Sequence, residues 1–363
     1  MLETLGKFDT EFCADSVEWC PLQSFRDLFV CGTYELLKNE NQLNSVEERK
    51  VSKRLGKIFL MRIITEGKME VLQKLEVSAV LDMKWLLIQD SVILGVAAAC
   101  GSLFIYKLES CNKVCNLKLI TKINLNNEQS VLALALNWHP KVNNGVKIGI
   151  SDSKGNISLF EHYEDELKLI DTWNAHSYEA WYTAFDNWNE NIIYTGGDDC
   201  YFKGFDIRAE KSSAIFSKIF DAGVVSIHSN PSHEHLLALG SYDEHLYLYD
   251  TRNFKRSLSS INLNGGVWRL KWNPFENNYL LAACMFNGFR IIDCKNPEEP
   301  VACAVYIEPE NLCYGCDWSY LENRDIFKLN LSLSRDEKIS LVSTCFFYSR
   351  TLMLSKVDFS KYL

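Results

Sequence analysis

The hydrophobic residues of this chain fall in short runs that are rich in β-branched and aromatic side chains, and Gly, Asp or Asn separates one run from the next. Residues 103–108 (LFIYKL), 157–162 (ISLFEH) and 289–293 (FRIID) are examples. Such runs are typical of β-strands joined by tight turns. No segment keeps a helical period for three turns. The pattern therefore predicts a protein built almost entirely of β-strands.

Two of these segments repeat each other without a gap. Residues 195–208 (TGGDDCYFKGFDIR) align with residues 239–252 (LGSYDEHLYLYDTR) at an offset of 44 residues, and each contains an aromatic residue followed by Asp near its end. An internal period of about 40–45 residues with this ending is typical of WD-type β-propellers. The sequence thus predicts an all-β, seven-bladed WD40-type propeller. The seven units are counted on the residue that closes the first strand of each: Trp19, Trp85, Trp138, Phe185, His228, Trp272 and Trp318.

The length of the chain fits one ring of blades. A single domain over residues 1–363 is predicted. Residues 8–12 (FDTEF) are expected to form a strand that pairs with the last blade, closes the ring and covers an open sheet edge. Two polar stretches, at about 38–54 and 322–340, are interpreted as insertions within the first and seventh blades.

The chain is acidic, with a formal net charge of −9. Its basic cluster at residues 49–54 is short and diluted by Val and Ser, so direct binding of nucleic acid is not expected. A partner or substrate group with positive charge suits this charge better. The N-terminal residues lack the apolar segment of a signal peptide, and the longest apolar stretch, 92–100, is about half as long as a membrane helix. A cytoplasmic protein with no membrane insertion is expected.

The thirteen cysteines do not indicate a metal site. Cys313 and Cys316 have the C-x-x-C spacing, but no second pair of matching spacing accompanies them. Four of the other thiols, Cys31, Cys100, Cys284 and Cys345, are interpreted as small core residues in a reducing compartment. The common hydrolase and nucleotide-binding motifs are absent, and no cofactor is expected. The repeat alone favours a protein-interaction scaffold.

Local strings in nearly every blade nevertheless resemble the WD-repeat diphthine methylesterase family of the diphthamide pathway. They are ADSVEWCPL (14–22), AHSYEAW (175–181), GGDD (196–199), GSYDEH (240–245), GGVWRLKWNPF (265–275), LAACMFNGF (281–289) and YGCDWS (314–319). The resemblance implies hydrolysis of the methyl ester of methylated diphthine, on the modified histidine of elongation factor 2, to give diphthine and methanol before the final amidation. Elongation factor 2, and further proteins of that pathway, are the implied partners. A non-catalytic WD-repeat scaffold, for example in trafficking, is the alternative.

The substrate implied by this resemblance carries a trimethylammonium group beside its ester. Aromatic faces and carboxylates hold such a cation best. In a propeller, the loops that enter each first strand and those that join the second and third strands converge on one face. Trp181 and Trp268 have two interpretations: they bind the substrate, or they are packing residues where strands begin. On that face the sequence places Tyr34 and the candidate substrate-binding residues Glu179, Trp181, Asp198, Tyr242, Glu244, Trp268, Tyr314 and Asp317.

Ester hydrolysis also needs a nucleophile or base and donors for the oxyanion. His245 is the candidate base, although its alignment with Tyr201 equally fits a solvent-facing strand start. Arg269 and the backbone of Gly265 and Gly266 are candidate oxyanion donors. Ser241 is a candidate nucleophile only if its side chain leaves the core.

Three residues have a structural interpretation. Asp199 and Asp243 occupy the same place in the repeat, where a carboxylate accepts backbone N–H bonds from a tight turn. His176 stands where WD repeats carry a buried histidine that bonds to such an aspartate. We expect these three residues to hold loops and blades together.

Overall fold

The protein is a ring of seven antiparallel sheets. In the computed structural model, residues 2–37, 53–88, 91–111, 114–125, 130–139, 146–163, 166–210, 213–332 and 337–361 are described. Within those ranges, 28 strands form seven sheets of four strands each. The prediction of an all-β, seven-bladed propeller is confirmed.

The strands follow one another blade by blade. After β1 (Leu2–Asp9), the first blade holds β2 (Cys13–Trp19), β3 (Leu28–Leu36), β4 (Arg54–Ile63) and β5 (Met69–Ser78). The second holds β6 (Val80–Ile88), β7 (Ser91–Ala98), β8 (Ser102–Cys111) and β9 (Val114–Asn124). The third holds β10 (Ala133–Trp138), β11 (Val146–Asp152), β12 (Asn156–Tyr163) and β13 (Glu166–Asn174). The fourth holds β14 (Tyr182–Phe185), β15 (Ile192–Gly196), β16 (Tyr201–Asp206) and β17 (Phe216–Ile219).

The remaining blades have the same order. The fifth holds β18 (Val224–Ser229), β19 (Leu236–Ser241), β20 (His245–Asp250) and β21 (Ser259–Asn262). The sixth holds β22 (Arg269–Trp272), β23 (Tyr279–Ala283), β24 (Phe289–Asp293) and β25 (Val301–Tyr306). The seventh holds β26 (Cys313–Trp318), β27 (Ile339–Phe346), β28 (Thr351–Asp358) and β1. Helix α1 (Asn323–Lys328) lies between β26 and β27, and 3-10 turns occur at Gln23–Phe25, Thr65–Gly67 and Phe359–Lys361.

The first strand of each blade lies innermost, because β2, β6, β10, β14, β18, β22 and β26 contact one another in order around the ring. The tryptophans that mark the period join these strands. In four blades the indole N–H donates to a backbone carbonyl of the preceding blade's first strand. The indole side chain therefore fills the space between two blades, and its N–H group satisfies a buried carbonyl. The pairs are Trp85 with Glu18 at 3.1 Å, Trp138 with Lys84 at 2.9 Å, Trp272 with His228 at 3.0 Å and Trp318 with Lys271 at 2.8 Å.

The ring is closed by β1, which pairs with β28 from Leu2 opposite Val357 to Asp9 opposite Thr351. The closing strand therefore begins six residues before the predicted range 8–12, and it ends inside that range. Residues 10–12 form a turn instead, in which the Thr10 hydroxyl donates to the Phe12 carbonyl at 2.7 Å. The closing strand was predicted but its start was placed too late, because an outermost strand buries few side chains and residues 2–7 carry little apolar signal.

The two predicted insertions differ in what the structure describes. Most of the stretch 38–54 lies outside the described residues; Arg54 already begins β4. The stretch 322–340 contains α1, whose Ile326 is fully buried in the core between the first and seventh blades. No helix in the described ranges has the length and apolar composition needed to cross a membrane.

Candidate functional site

Six aromatic residues form a continuous arc on the face where the first strands begin. We call this set the aromatic rim. Trp268 lies at its centre, with its ring centroid 4.8 Å from that of Tyr314, in a stacked arrangement, and 5.6 Å from that of Trp181. Neighbouring blades supply its members, so the arc follows the mouth of the central channel. The aromatic rim comprises Tyr34, Trp181, Tyr242, Trp268, Tyr314 and Phe347, with further contacts from Tyr242 to Trp268 (5.9 Å), Tyr314 to Phe347 (5.1 Å) and Phe347 to Tyr34 (6.1 Å).

Glycines hold the Tyr242 ring in place. A Cβ atom on Gly223 would lie 3.1 Å from one edge carbon of the ring, and one on Gly266 would lie 3.2 Å from the opposite edge carbon. Only residues without a side chain let two loops approach the ring this closely. Burial, with the nearby Tyr314, Asp198 and Glu179 adding to it, raises the pKa of the Tyr242 phenol. Tyr242 therefore stays neutral at physiological pH.

Carboxylates accompany the aromatic faces. Asp198 is exposed and accepts the indole N–H of Trp181 at 2.9 Å. Its backbone N–H donates to the Glu179 carbonyl at 2.9 Å, which keeps the two acidic residues together. The indole N–H of Trp268 has no hydrogen-bond partner among the described residues. The rim thus offers several π-faces with a fixed negative charge at one end, an arrangement that binds cations lacking hydrogen-bond donors.

Below the rim, the first strands enclose a buried set of charged side chains, which we call the channel network. The Glu18 carboxylate accepts from Lys84 at 2.8 Å and from Lys271 at 2.6 Å through the same oxygen. Lys84 also donates to Asp82 at 2.7 Å. Burial alone would lower the pKa of Lys84, but Asp82 and Glu18 raise it above its ordinary value, so the ammonium stays charged. The channel network comprises Glu18, Asp82, Lys84, Arg269, Lys271 and Asp317.

Arg269 and Asp317 belong to this network rather than to the exposed face. The Arg269 guanidinium is buried, 3.7 Å from the Asp82 carboxylate and 5.5 Å from the centre of the Tyr182 ring. The Asp317 carboxylate accepts the backbone N–H of Trp19 at 2.8 Å and lies 3.5 Å from the Lys271 ammonium. The prediction that Asp317 lies on the rim is wrong, because it is buried near the end of β26, where its carboxylate contacts residues of β2 and β22. Arg269 follows Trp268 in the chain, so it lies just below the rim.

Ser241 and His245 are not brought to the rim. The buried Ser241 hydroxyl donates to the Ala222 carbonyl at 3.3 Å, so it remains in the core and is no free nucleophile. His245 begins β20, opposite Asn262 in the outermost strand of its blade. Its Nδ1 lies 2.8 Å from the Asp243 carbonyl, and its ring contacts Tyr247. These positions do not fit the catalytic roles expected for them.

The other turn residues hold the fifth blade's loop. Asp243 accepts the backbone N–H of His245 at 3.0 Å and the Tyr247 hydroxyl at 2.8 Å. Glu244 is exposed and adopts a positive φ of 71° in this tight turn. Its backbone carbonyl accepts the N–H of Leu263 at 2.8 Å, and no contact joins its side chain to the described residues of the aromatic rim.

His176 and Asp199 form a hydrogen-bonded network in the fourth blade. His176 is only 1% exposed, and its Nδ1 and Nε2 lie 2.8 Å from Asp199 Oδ1 and Thr195 Oγ1 respectively. Burial alone would raise the pKa of Asp199, but the hydrogen bonds from His176 and from backbone N–H groups hold it below its ordinary value. Both ring nitrogens are therefore used in fixing the loop before β14.

Four members of the channel network, Glu18, Asp82, Lys84 and Lys271, were not expected from the sequence. The signal is present, since each is a charged residue within a buried inner strand. Apart from the pair Asp82–Lys84 in β6, their contacts join different blades, so no local motif identifies the network. Among the described residues, no group of three His, Cys, Asp or Glu side chains is arranged to hold a metal ion.

No protein-family model matches the chain. A chain of the crystallised mitotic checkpoint complex superposes with a TM-score of 0.65 at 17% identity, covering 98% of this chain and 92% of its own length. That likeness defines the class, a WD-type seven-bladed propeller.

A protein named diphthine methyltransferase from Mus musculus is 41% identical over 337 residues, 88% of this chain and 70% of its own. A homologue of that name from Dictyostelium discoideum is 35% identical over 349 residues, 86% of this chain and 91% of its own. The chain belongs to the diphthine methyltransferase family, and the family resemblance seen in the sequence is confirmed.

Proposed function

We propose that this protein acts in diphthamide biosynthesis by hydrolysing the methyl ester of methylated diphthine on elongation factor 2, which gives diphthine and methanol. The names of its relatives connect the family with methyl groups on diphthine. Those names describe methyl transfer, so the hydrolytic direction rests on the chemistry of the site.

The aromatic rim is the observation that carries the proposal. Methylated diphthine presents a trimethylammonium group, which has no N–H to donate and is bound by ring faces and negative charge. Trp268, with the stacked Tyr314 on one side and Trp181 on the other, provides such faces. Asp198 supplies the carboxylate beside them. A substrate cation held here places its neighbouring ester at the mouth of the channel.

The channel network favours hydrolysis over methyl transfer. Ester hydrolysis passes through a tetrahedral intermediate with a negative oxygen, which fixed positive groups in a water-poor site stabilise. Arg269, which follows Trp268 in the chain, begins β22, and Lys271 lies two residues further along that strand. Methyl transfer to a carboxylate develops no such oxyanion. Lys271 is held by Glu18 at 2.6 Å, whereas Arg269 lies 3.7 Å from Asp82, so Arg269 is the cation that better fits the charge that hydrolysis creates.

A non-catalytic scaffold remains the second candidate function. Exposed aromatic side chains on the same face favour it, because large apolar groups in contact with water mark protein-binding surfaces. Phe286 and Tyr348 are 59% and 58% exposed, and their rings stack at 6.4 Å. The same surface also suits an enzyme whose substrate is a protein.

The two candidates are separated by the state of elongation factor 2 in cells that lack this protein. Mass spectrometry of the modified histidine should show the methyl-ester form accumulating. Re-expression of the native chain should restore the amidated end product, whereas Trp268→Ala at equal abundance should restore it only partly. Fully amidated diphthamide in the deletion cells would overturn the proposed function. Full rescue by Trp268→Ala would favour the scaffold.

A further inference from the structure

The inner strands carry a repeated irregularity. In β2, pairing with β3 passes from Ala14 to Ser16 and skips Asp15, which is left as an extra residue in a β-bulge. Bulges re-aim side chains and often lie next to active sites. Since the blades are related by rotation around the channel, the extra residues occupy equivalent places around it. In β6, β10, β18 and β26 these residues are Leu81, Leu134, Val225 and the pair Tyr314–Gly315 respectively.

Among the residues at these five bulges, Asp15 is the one with a carboxyl group. The others are apolar or aromatic. It is only 4% exposed. Burial raises the pKa of Asp15 to about 8, with Arg269 opposing the shift and Asp82 adding to it. A buried carboxyl where other blades use Leu or Val costs stability. Such local departures from the packing pattern are expected at functional sites.

Asp15 lies between the aromatic rim and the channel network. On the rim side, Gly315 packs so closely that a Cβ atom there would lie 2.6 Å from the Asp15 carbonyl oxygen. The negative charge of Asp15 adds to the burial that raises the pKa of Tyr314. On the channel side, the same charge adds to that of Asp82 in favouring the charged form of Arg269, whose pKa lies above its ordinary value although burial alone would lower it. Asp15 is thus placed beside both a ring that would hold the substrate cation and a guanidinium that would face the oxyanion.

We propose that Asp15 is the general base of the ester hydrolysis, an inference that rests on the proposed function. The ionised carboxylate takes a proton from a water molecule as the water oxygen bonds to the ester carbonyl carbon. The carbonyl electrons move onto the oxygen, which faces Arg269. The intermediate then collapses, the bond to the methoxy oxygen breaks, and Asp15 returns its proton to that oxygen so that methanol leaves. Diphthine remains as the carboxylic acid, which loses its proton to solvent.

The pH dependence of the native protein tests this role. The titratable and charged groups that face Asp15 are Arg269, Asp82, Tyr314 and Cys345, from four different strands. Because the base must be ionised, kcat/KM should rise with pH, pass its inflection near pH 8 and level off above about pH 9, and at pH 6 it should be roughly 100-fold below the plateau. A bound trimethylammonium group favours the carboxylate, so the inflection in kcat should lie at lower pH than that in kcat/KM. A merely structural Asp15 would give neither the inflection nor this difference.

Two substitutions complete the experiment, with methanol release from esterified elongation factor 2 as the assay. Asp15→Asn should lower kcat by a factor of roughly 10² to 10⁴ and remove the inflection near pH 8. Asp15→Leu, which installs the side chain found at the equivalent bulge in two other blades, should lose activity equally while remaining folded. Asp221→Asn, which removes an exposed carboxylate from the same face, is the matched control and should keep the native pH profile.

The melting temperature checks that loss of activity is not loss of fold. The folded-state pKa of Asp15 is raised, so its contribution to stability becomes unfavourable as pH rises from about 4 to about 8. Asp15→Leu should therefore melt above the native protein at pH 8, and by a smaller margin at pH 5. Native kcat/KM with an unchanged pH profile in Asp15→Asn would overturn the role of Asp15 while leaving ester hydrolysis intact. A native protein that releases no methanol would overturn both.

Discussion

Replacing Trp268 by Ala removes the central ring of the aromatic rim, and its effect can be worked out from the contacts. The Trp268 ring meets Tyr314 at 4.8 Å, Trp181 at 5.6 Å and Tyr242 at 5.9 Å, so a cation bound at Trp268 would lie among several aromatic side chains. A desolvated cation–π contact contributes about 2 kcal/mol. We expect kcat/KM for esterified elongation factor 2 to fall about 30-fold. The lost ring contacts should also lower the melting temperature, since aromatic pairs contribute about 0.5–1.5 kcal/mol each.

Trp268→Phe is the matched control. The indole N–H of Trp268 has no hydrogen-bond partner among the described residues, so Phe keeps a π-face and removes no hydrogen bond. This variant should retain most of the activity. Competition with tetramethylammonium makes the test specific for the cation, because the ion should inhibit the native protein and Trp268→Phe but not Trp268→Ala. A folded Trp268→Ala protein with native kcat/KM and native inhibition would refute cation binding at the rim.

Three further outcomes are expected. Deleting β1, residues 2–9, should lower the melting temperature sharply, because it exposes the long edge of β28; a truncated protein that melts like the native one would show that ring closure does not depend on this strand. His176→Ala should leave Asp199 and Thr195 without their partner, which costs about 1–3 kcal/mol per group, and a native urea midpoint would contradict this. His245→Ala should keep near-native methanol release, since His245 lies beside the outermost strand of its blade, and a loss of 100-fold or more would restore it as the base.

The blade count could be predicted from the sequence because the residues that define it act locally. A tryptophan at the end of a first strand fills the space between blades and bonds to a backbone carbonyl, so the same chemical requirement recurs in each repeat. Phe185 takes this place in the fourth blade. In the fifth blade the count was one residue early, because the His228 carbonyl accepts the Trp272 indole as the Lys271 carbonyl accepts that of Trp318, so Ser229 takes the tryptophan's place. The closing strand β1 lacked such a signal, because most of its side chains face solvent.

The candidate site was only partly accessible from the sequence. Trp181, Tyr242, Trp268 and Tyr314 could be assigned to one face, since the loop that carries each of them follows from the repeat. The depth of each side chain could not be assigned, because one residue along a strand separates the rim from the buried channel. Trp268 and Arg269 show this directly: they are adjacent in sequence, yet only the first lies in the rim.

Asp15 illustrates the limit most clearly. In the sequence it is one aspartate of the string ADSVEWCPL, which carries part of the family resemblance but matches no catalytic motif. Its environment comes from Arg269 and Asp82, which stand far away in the chain, and from a bulge that the pairing with β3 creates. Only closure of the ring brings these groups together. A raised carboxyl pKa is therefore a property of the folded protein that no local pattern encodes.

The most direct test of the central claim is to incubate the purified protein with esterified elongation factor 2 in water labelled with heavy oxygen, with no methyl donor or acceptor added. Mass spectrometry of the modified histidine and of the released methanol then locates the label. Hydrolysis by attack of water on the ester carbonyl predicts one heavy oxygen in the carboxylate of diphthine and unlabelled methanol. An ester that persists until a methyl acceptor is added, or label that appears in methanol, would contradict the claim.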